Sequence, residues 1–414
     1  MRGSADTTGG QSPAETRRQH APGTFRAVLS RYSVQRWRQG ELGALPVVLG
    51  LLVIAAYFES QQPVFLSARN LSNLIVQVAA TGSVAVGIVL VLLLGEIDLS
   101  VGSVSGLCSA LLGVLIMNNR APWWLAILAA LATGAAIGSF QGAWFALIGV
   151  PSFVVTLAGF LAWQGVQLRV LGSTGTVNVF EPHIERIAQS YLPDVWGWLL
   201  GAGIAGAYLF NVWIARARRR RLGLSSVPPV AVITRSVLVA ATAVASVEIL
   251  NSFNGVPTAG MILFGLVVLF SLLTTRTRFG RYIFAVGGNA EAARRAGINV
   301  ARIRIVVFAL SGLMAAIGGI IFVSRLTAAS TQTGGGTFLL EAIAAAVIGG
   351  TSLFGGRGSA WSALLGALVI GSVSNGLDLM GQPPEIKYMV EGAILLAAVT
   401  VDAIARRSRV AAGR

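Results

Sequence analysis

Lysine is almost absent from this chain: Lys387 is the only one in 414 residues. A Walker-type phosphate loop needs a lysine directly after its glycines, and Lys387 lacks that context, so the loop is excluded. Cys108 is the single cysteine and lies in an apolar run, so no intrachain disulfide can form and a small core residue is expected. The two histidines, His20 and His183, are far apart, with no metal-ligand spacing around them. We expect no metal and no cofactor. Charge is scarce as well, at 11% of residues, against about 25% in a soluble domain. The first 40 residues lack the apolar core of a cleaved signal peptide.

What is abundant is apolar length. Hydrophobic residues make up 55% of the chain and the mean hydropathy is +0.74. Uncharged runs of a length near the ~20 residues that cross a bilayer lie at 43–58, 71–94, 101–117, 123–148, 152–168, 195–215, 231–249, 259–275, 305–324, 339–354, 359–379 and 388–404. Two are weak spans: 339–354 is short and glycine-rich, and Arg235 sits inside 231–249. The net charge of +15 is almost wholly arginine. High basicity raises nucleic acid as a partner. Here the arginines cluster at the ends of apolar runs, so the positive-inside rule accounts for them and no nucleic acid is expected. With the N-terminus inside, the clusters at Arg216–Arg221, at 276–304 and at Arg406–Arg409 all fall on the inner side. We therefore expect an all-α polytopic integral membrane protein of about twelve (ten to twelve) transmembrane helices, with both termini cytoplasmic.

Residues 1–40 read as a cytoplasmic tail, polar and disordered over 1–23. From Thr24 to Gly40, Phe25, Val28, Leu29 and Tyr32 fall at helical spacing among arginines. A basic amphipathic helix on the inner leaflet and a frayed lead-in to the first span both fit. Residues 41–405 form the membrane domain and 406–414 a second cytoplasmic tail.

The stretch from Val91 to Gly106, VLLLGEIDLSVGSVSG, breaks two apolar runs with carboxylates. Charged groups there are costly unless they line water or protein. Glu96, Asp98, Ser100 and Ser103 are candidates for a translocation path or gate; Asp98 or Ser100 simply capping the next helix is the plainer reading. A second glycine-rich break, Gly349–Ser359, adds Thr351 and Ser352 to the gate candidates. Gly134, Gly138 and Gly142 recur at i+4 and predict close helix–helix packing, with Gln141 beside that face. The basic loop 276–304 carries a short helix of its own, capped by Asn289, running through Glu291–Ala296 and ended by Gly297. A loop this elaborate predicts a docking surface for a cytosolic partner, with membrane lipid around the apolar runs.

Four blocks resemble a known family: GEIDLSVGS at 95–103, VPSFVVTLAG at 150–159, FGRYIFAVGGNAEAARRAGINV at 279–300 and EAIAAAVIGGTSLFGGRGS at 341–359. In this order they resemble the sugar-import permeases of ATP-binding cassette (ABC) transporters of the ribose/xylose/arabinose/galactose group. The extra apolar material near 195–249 looks like the longer, xylose-type form. The resemblance implies a homodimeric, multi-pass permease of the bacterial inner membrane that is not itself an enzyme. It also implies a cytosolic ABC ATPase that hydrolyses ATP and a periplasmic sugar-binding protein as partners. Glu291, Ala292, Ala293 and Gly297 match the opening of the family's ATPase-docking loop, while the downstream leucine–proline is absent; Gly288, Asn289, Arg294 and Arg295 beside them complete the docking candidates. Two rivals stand beside this. An ion-coupled secondary transporter needs ionisable groups at depth, and Glu391, Asp378, Glu248 and Arg235 lie scattered near span ends. A membrane enzyme needs converging reactive groups, and only Glu96 and Asp98 pair up, pointing apart at i and i+2.

Overall fold

The computed structural model describes residues 45–223 and 229–411. The expectations for residues 1–40 lie outside the described residues. The chain divides into two units, Met1–Gly43 with Ile404–Arg414, and Ala44–Ala403. The second holds the sites discussed below.

Each expected apolar run contains a helix. In order they are α1 (Leu45–Gln61), α2 (Ala68–Leu93), α3 (Val101–Met117), α4 (Trp123–Ala143, extended by one π turn to Ile148) and α5 (Ser152–Leu171), then α7 (Asp194–Arg221), α8 (Pro229–Asn251) and α9 (Thr258–Arg276). After the basic loop follow α12 (Val300–Leu326), α13 (Gly336–Ile348), α14 (Ala360–Leu379) and α15 (Pro384–Ala411). Among the described residues, eight helices are long and apolar enough to cross a membrane. The apolar helices α1, α3 and α13 are shorter. The expected 339–354 span is corrected: its helix stops at Ile348. Gly350 turns the chain at φ +104°, and a Cβ at Gly349 would run into the Ser362 carbonyl. Helix α15 continues to Ala411, past the expected start of a tail at 406.

One short helix and four short strands have no counterpart in the apolar runs. Helix α6 (Pro182–Gln189) lies between β1 (Thr176–Asn178) and β2 (Tyr191–Leu192). Strand β1 pairs antiparallel with β4 (Ala328–Ser330), and β2 with β3 (Val256–Pro257). Helix α6 buries Ile184 and Ala188, and the Ala188 N–H donates to Ser324 Oγ at 2.8 Å, which fastens it to the end of α12.

The core is built around α2 and α12. Helix α2 is buried almost throughout from Val76 to Leu93, and α12 packs on α2, α3 and α4. The glycine stripe is what brings α4 and α12 together. A Cβ at Gly134 would run into the Gly312 carbonyl, one at Gly138 into that of Phe308, and one at Gly142 would lie 2.8 Å from Phe308 Cβ. The two backbones touch because these side chains are missing. Helices α7 and α8 pack chiefly on each other, and only 6% of each apolar window is buried.

Candidate functional site

The break after α2 folds inward. Gly95 adopts φ +77°, and Asp98 is buried among hydroxyls. Its Oδ1 accepts from the Ser100 N–H at 3.0 Å and from the Ser100 hydroxyl at 2.7 Å; its Oδ2 accepts from Ser311 Oγ at 3.0 Å. The simple capping reading is corrected: Ser100 precedes α3 without a side-chain cap bond. Asp98 takes the Ser100 N–H just ahead of the helix and reaches Ser311 with its other oxygen, so the carboxylate joins the start of α3 to α12. Ser103 is buried and donates back to the Ser100 carbonyl at 2.9 Å. Ser100 Oγ also lies 2.7 Å from Gln141 Oε1. One hydroxyl has one proton, so the two acceptors conflict until the Gln141 amide is turned to donate through Nε2. Its oxygen then lies beside Gly159, next to the otherwise unpartnered Trp163 indole N–H.

Glu96 points elsewhere. Its Oε1 accepts from Arg304 Nη2 at 2.8 Å, across 208 positions of sequence. The Arg304 guanidinium in turn lies 4.7 Å above the Phe145 ring. The first break is thus tied to the end of the basic loop. Two clefts flank Arg304, one of about 370 Å³ reaching Arg294 and Gly297, the other of about 360 Å³ lined by Glu96, Gly149 and Ser152.

The second break packs on the first. The Gly356 N–H donates to the Leu93 carbonyl at 2.9 Å. A Cβ at Gly287, in α10 (Arg278–Gly288), would run into that same carbonyl, and one at Gly355 would lie 3.0 Å from Gly95 Cα. Three chain segments meet here backbone to backbone, which only glycine permits. Thr351 is buried with an unpartnered hydroxyl, and Ser352 donates to Asp402 at 3.2 Å.

The docking candidates form α11 (Ala290–Arg295). Asn289 Oδ1 accepts from the Ala292 N–H at 2.9 Å, and Gly297 ends the turn at φ +83°. Gly288 packs against Gly356. Ala293 is buried and seats the helix; Ala292 faces solvent. Glu291 pairs with Arg294 and Arg295, each at 3.2 Å, and all three are exposed.

A third feature was not foreseen. At the opposite end of α2, about 35 Å away along the helix, a vestibule of about 560 Å³ is lined by Asn70, Asn73, Gln77, Gln189, Tyr191, Arg325, Asn375 and Asp378. Asn70 and Asn375 exchange amide hydrogen bonds at 2.8 and 3.1 Å, which joins α2 to α14. Asp378 is ion-paired with Lys387. Gln77 also lines a separate, smaller space of about 10 Å³ together with Thr81, Glu341 and Ser374, about the least that holds one water. Glu341 interacts electrostatically with Glu391, Arg325 and Asp378. The expected scatter of acids is thus corrected for Asp378 and Glu391, which the end of the bundle gathers around Glu341. Among the described residues, no three His, Cys, Asp or Glu side chains are grouped to hold a metal ion. None of the six path or gate candidates lines this vestibule. The sequence signal for it is a polar stripe at Asn70, Asn73, Gln77 and Thr81, three or four apart on one face of α2.

The arrangement offers amides, a phenol, a carboxylate and a guanidinium around a cavity of small-molecule size, suited to a neutral polyhydroxy solute. A family profile described as "Branched-chain amino acid transport system / permease component" matches residues 70–399. The xylose transport system permease protein XylH of Escherichia coli (strain K12) is 43% identical over 362 residues, 87% of this chain and 92% of the relative. The protein of the same name from Haemophilus influenzae is 38% identical over 359 residues, 86% of this chain and 95% of the relative. The ribose import permease protein RbsC of E. coli K12 is 34% identical over 373 residues, 90% and 96% of the two chains. No solved structure matches the chain. The match extends from α2 into α15, across both breaks, the basic loop and the vestibule, and the chain belongs to this family of transport-system permeases.

Proposed function

We propose that this chain is the membrane-spanning subunit of an ABC importer for a monosaccharide, D-xylose before other pentoses. The observation that carries the reading is the 43% identity to a xylose permease over nearly the full length of both chains. The polar vestibule supports it, since sugar hydroxyls need amide and carboxylate partners and no net charge. The profile's description names amino acids, whereas the relatives described above are named for pentoses.

In this reading the vestibule opens outward and receives sugar from a periplasmic binding protein. Close packing at Gln77, Thr81 and Glu341 keeps the path shut below. A cytosolic ATPase grips α11 and the clefts beside Arg304. Its movement passes through the glycine contact of α10 and the second break to Leu93, and so along α2 to the vestibule. Glu96, Asp98, Ser100, Ser103, Thr351 and Ser352 act at this inner hinge, not along the solute path. Both termini are cytoplasmic, ten to twelve helices cross the bacterial inner membrane, and residues 41–405 form the permease domain. Two copies form the working permease. ATP hydrolysis belongs to the partner.

The test is labelled-xylose uptake in cells carrying this chain with a cassette ATPase and binding protein. Uptake should resist an uncoupler and stop on ATP depletion. A second reading, ion-coupled secondary transport, draws on the acids gathered around Glu341. It demands the reverse response, together with accumulation by the purified chain alone.

A further inference from the structure

The α7–α8 pair takes no part in the transport scheme above. Its apolar windows are 6% buried within this chain, so nearly every face is left open to lipid. Between the two helices a cleft of about 220 Å³ is lined by Tyr208, Arg216, Arg219 and Arg235 over Val212 and Val232. The Arg216 Nε–H is buried and has no hydrogen-bond partner. The ion pairs found among the described residues involve none of these arginines. Three unneutralised guanidinium groups converge on one cleft, and Arg235 does so from within an apolar helix.

Repulsion among them calls for an anion. Guanidinium forks fit phosphate oxygens in bidentate fashion, and the Tyr208 hydroxyl adds a further donor. One turn further from the arginine-rich end, Trp213 and Leu238 are 67% and 65% exposed, which gives an acyl chain a surface to follow. Basic pockets between membrane helices receive anionic headgroups in this way. We propose that the α7–α8 cleft binds the phosphate of an anionic phospholipid of the phosphatidylglycerol type, held by Arg216, Arg219 and Arg235.

Native mass spectrometry of the full chain, purified in detergent and offered phosphatidylglycerol, phosphatidylcholine or inorganic phosphate, tests this. We expect a retained phosphatidylglycerol adduct, no comparable phosphatidylcholine adduct, and no displacement by inorganic phosphate. Arg235→Gln should weaken retention about fivefold, and Arg216→Gln/Arg235→Gln roughly 25-fold. Arg220→Gln/Arg221→Gln, outside the cleft, should retain the lipid as the parent does. Arg235 is exposed, so the single variant keeps the test valid if the double variant fails to fold. Unchanged retention in Arg235→Gln, equal retention of phosphatidylcholine, or displacement by inorganic phosphate would overturn the proposal.

Discussion

Asp98 is buried and accepts three hydrogen bonds. Removing the carboxylate leaves an amide and two hydroxyls with no acceptor, at a cost of about 1–3 kcal/mol. Asp98→Ala should therefore lower the unfolding midpoint of purified protein in a thermal-shift assay. Asp98→Asn should hold the midpoint, because Oδ1 is kept and the Ser311 hydroxyl can reverse to accept from the new amide. Uptake then separates two roles: loss at an unchanged midpoint assigns Asp98 to the hinge, and normal uptake assigns it to packing alone. The Glu96–Arg304 pair differs, since both side chains keep some solvent contact. Its weight comes from tying two chain segments together.

At the scale of elements, the α4–α12 contact is set by absent side chains. Gly138→Val should prevent the two helices from closing and remove folded protein from the membrane fraction. Gly165→Ala, where nothing lies within 4 Å, should be tolerated. Size-exclusion profiles of the two variants make the comparison. Helix α11 presents the opposite case. Arg294 and Arg295 are exposed and, among the described residues, form ion pairs only with Glu291 on their own helix, and such pairs add little stability. Arg294→Glu/Arg295→Glu should insert normally yet lose uptake and ATPase co-purification. Normal uptake in that variant would move the docking surface elsewhere.

Across the whole molecule, α2 joins the glycine contact at one end to the vestibule at the other. If the vestibule holds the solute, Gln77→Leu removes a hydrogen-bonding amide from its lining. Uptake should fall about tenfold or more, a loss of roughly 1.4 kcal/mol or above, while ATPase co-purification is unchanged. If the glycine contact carries motion to Leu93, Gly287→Val, whose side chain runs into that carbonyl, should show the converse: where protein folds, ATP hydrolysis continues without uptake.

The helices were legible because apolar length is a property of consecutive residues. The stripe at Gly134, Gly138 and Gly142 gave the contact but not its partner, since nothing local names α12. Asn289 and Gly297 marked α11 correctly, because caps act within one turn. Helix α6 and the paired strands were missed: elements of two to eight residues carry too few positions to show a period. The vestibule was missed for a different reason. Its lining comes from α2, α6, β2, α12 and α14, and no stretch of sequence contains it.

Residue order alone determined a series of membrane-grade helices, the arginine clusters at their ends and the short capped helix of the basic loop, because hydrophobic length, charge bias and capping act over a few neighbouring positions. Only the tertiary structure decided that Glu96 meets Arg304, that Gly95, Gly287 and Gly356 share one contact, and that scattered amides and acids form one polar cavity. Those partners lie tens to hundreds of residues apart, and it is the packing of the helices that brings them within hydrogen-bonding distance.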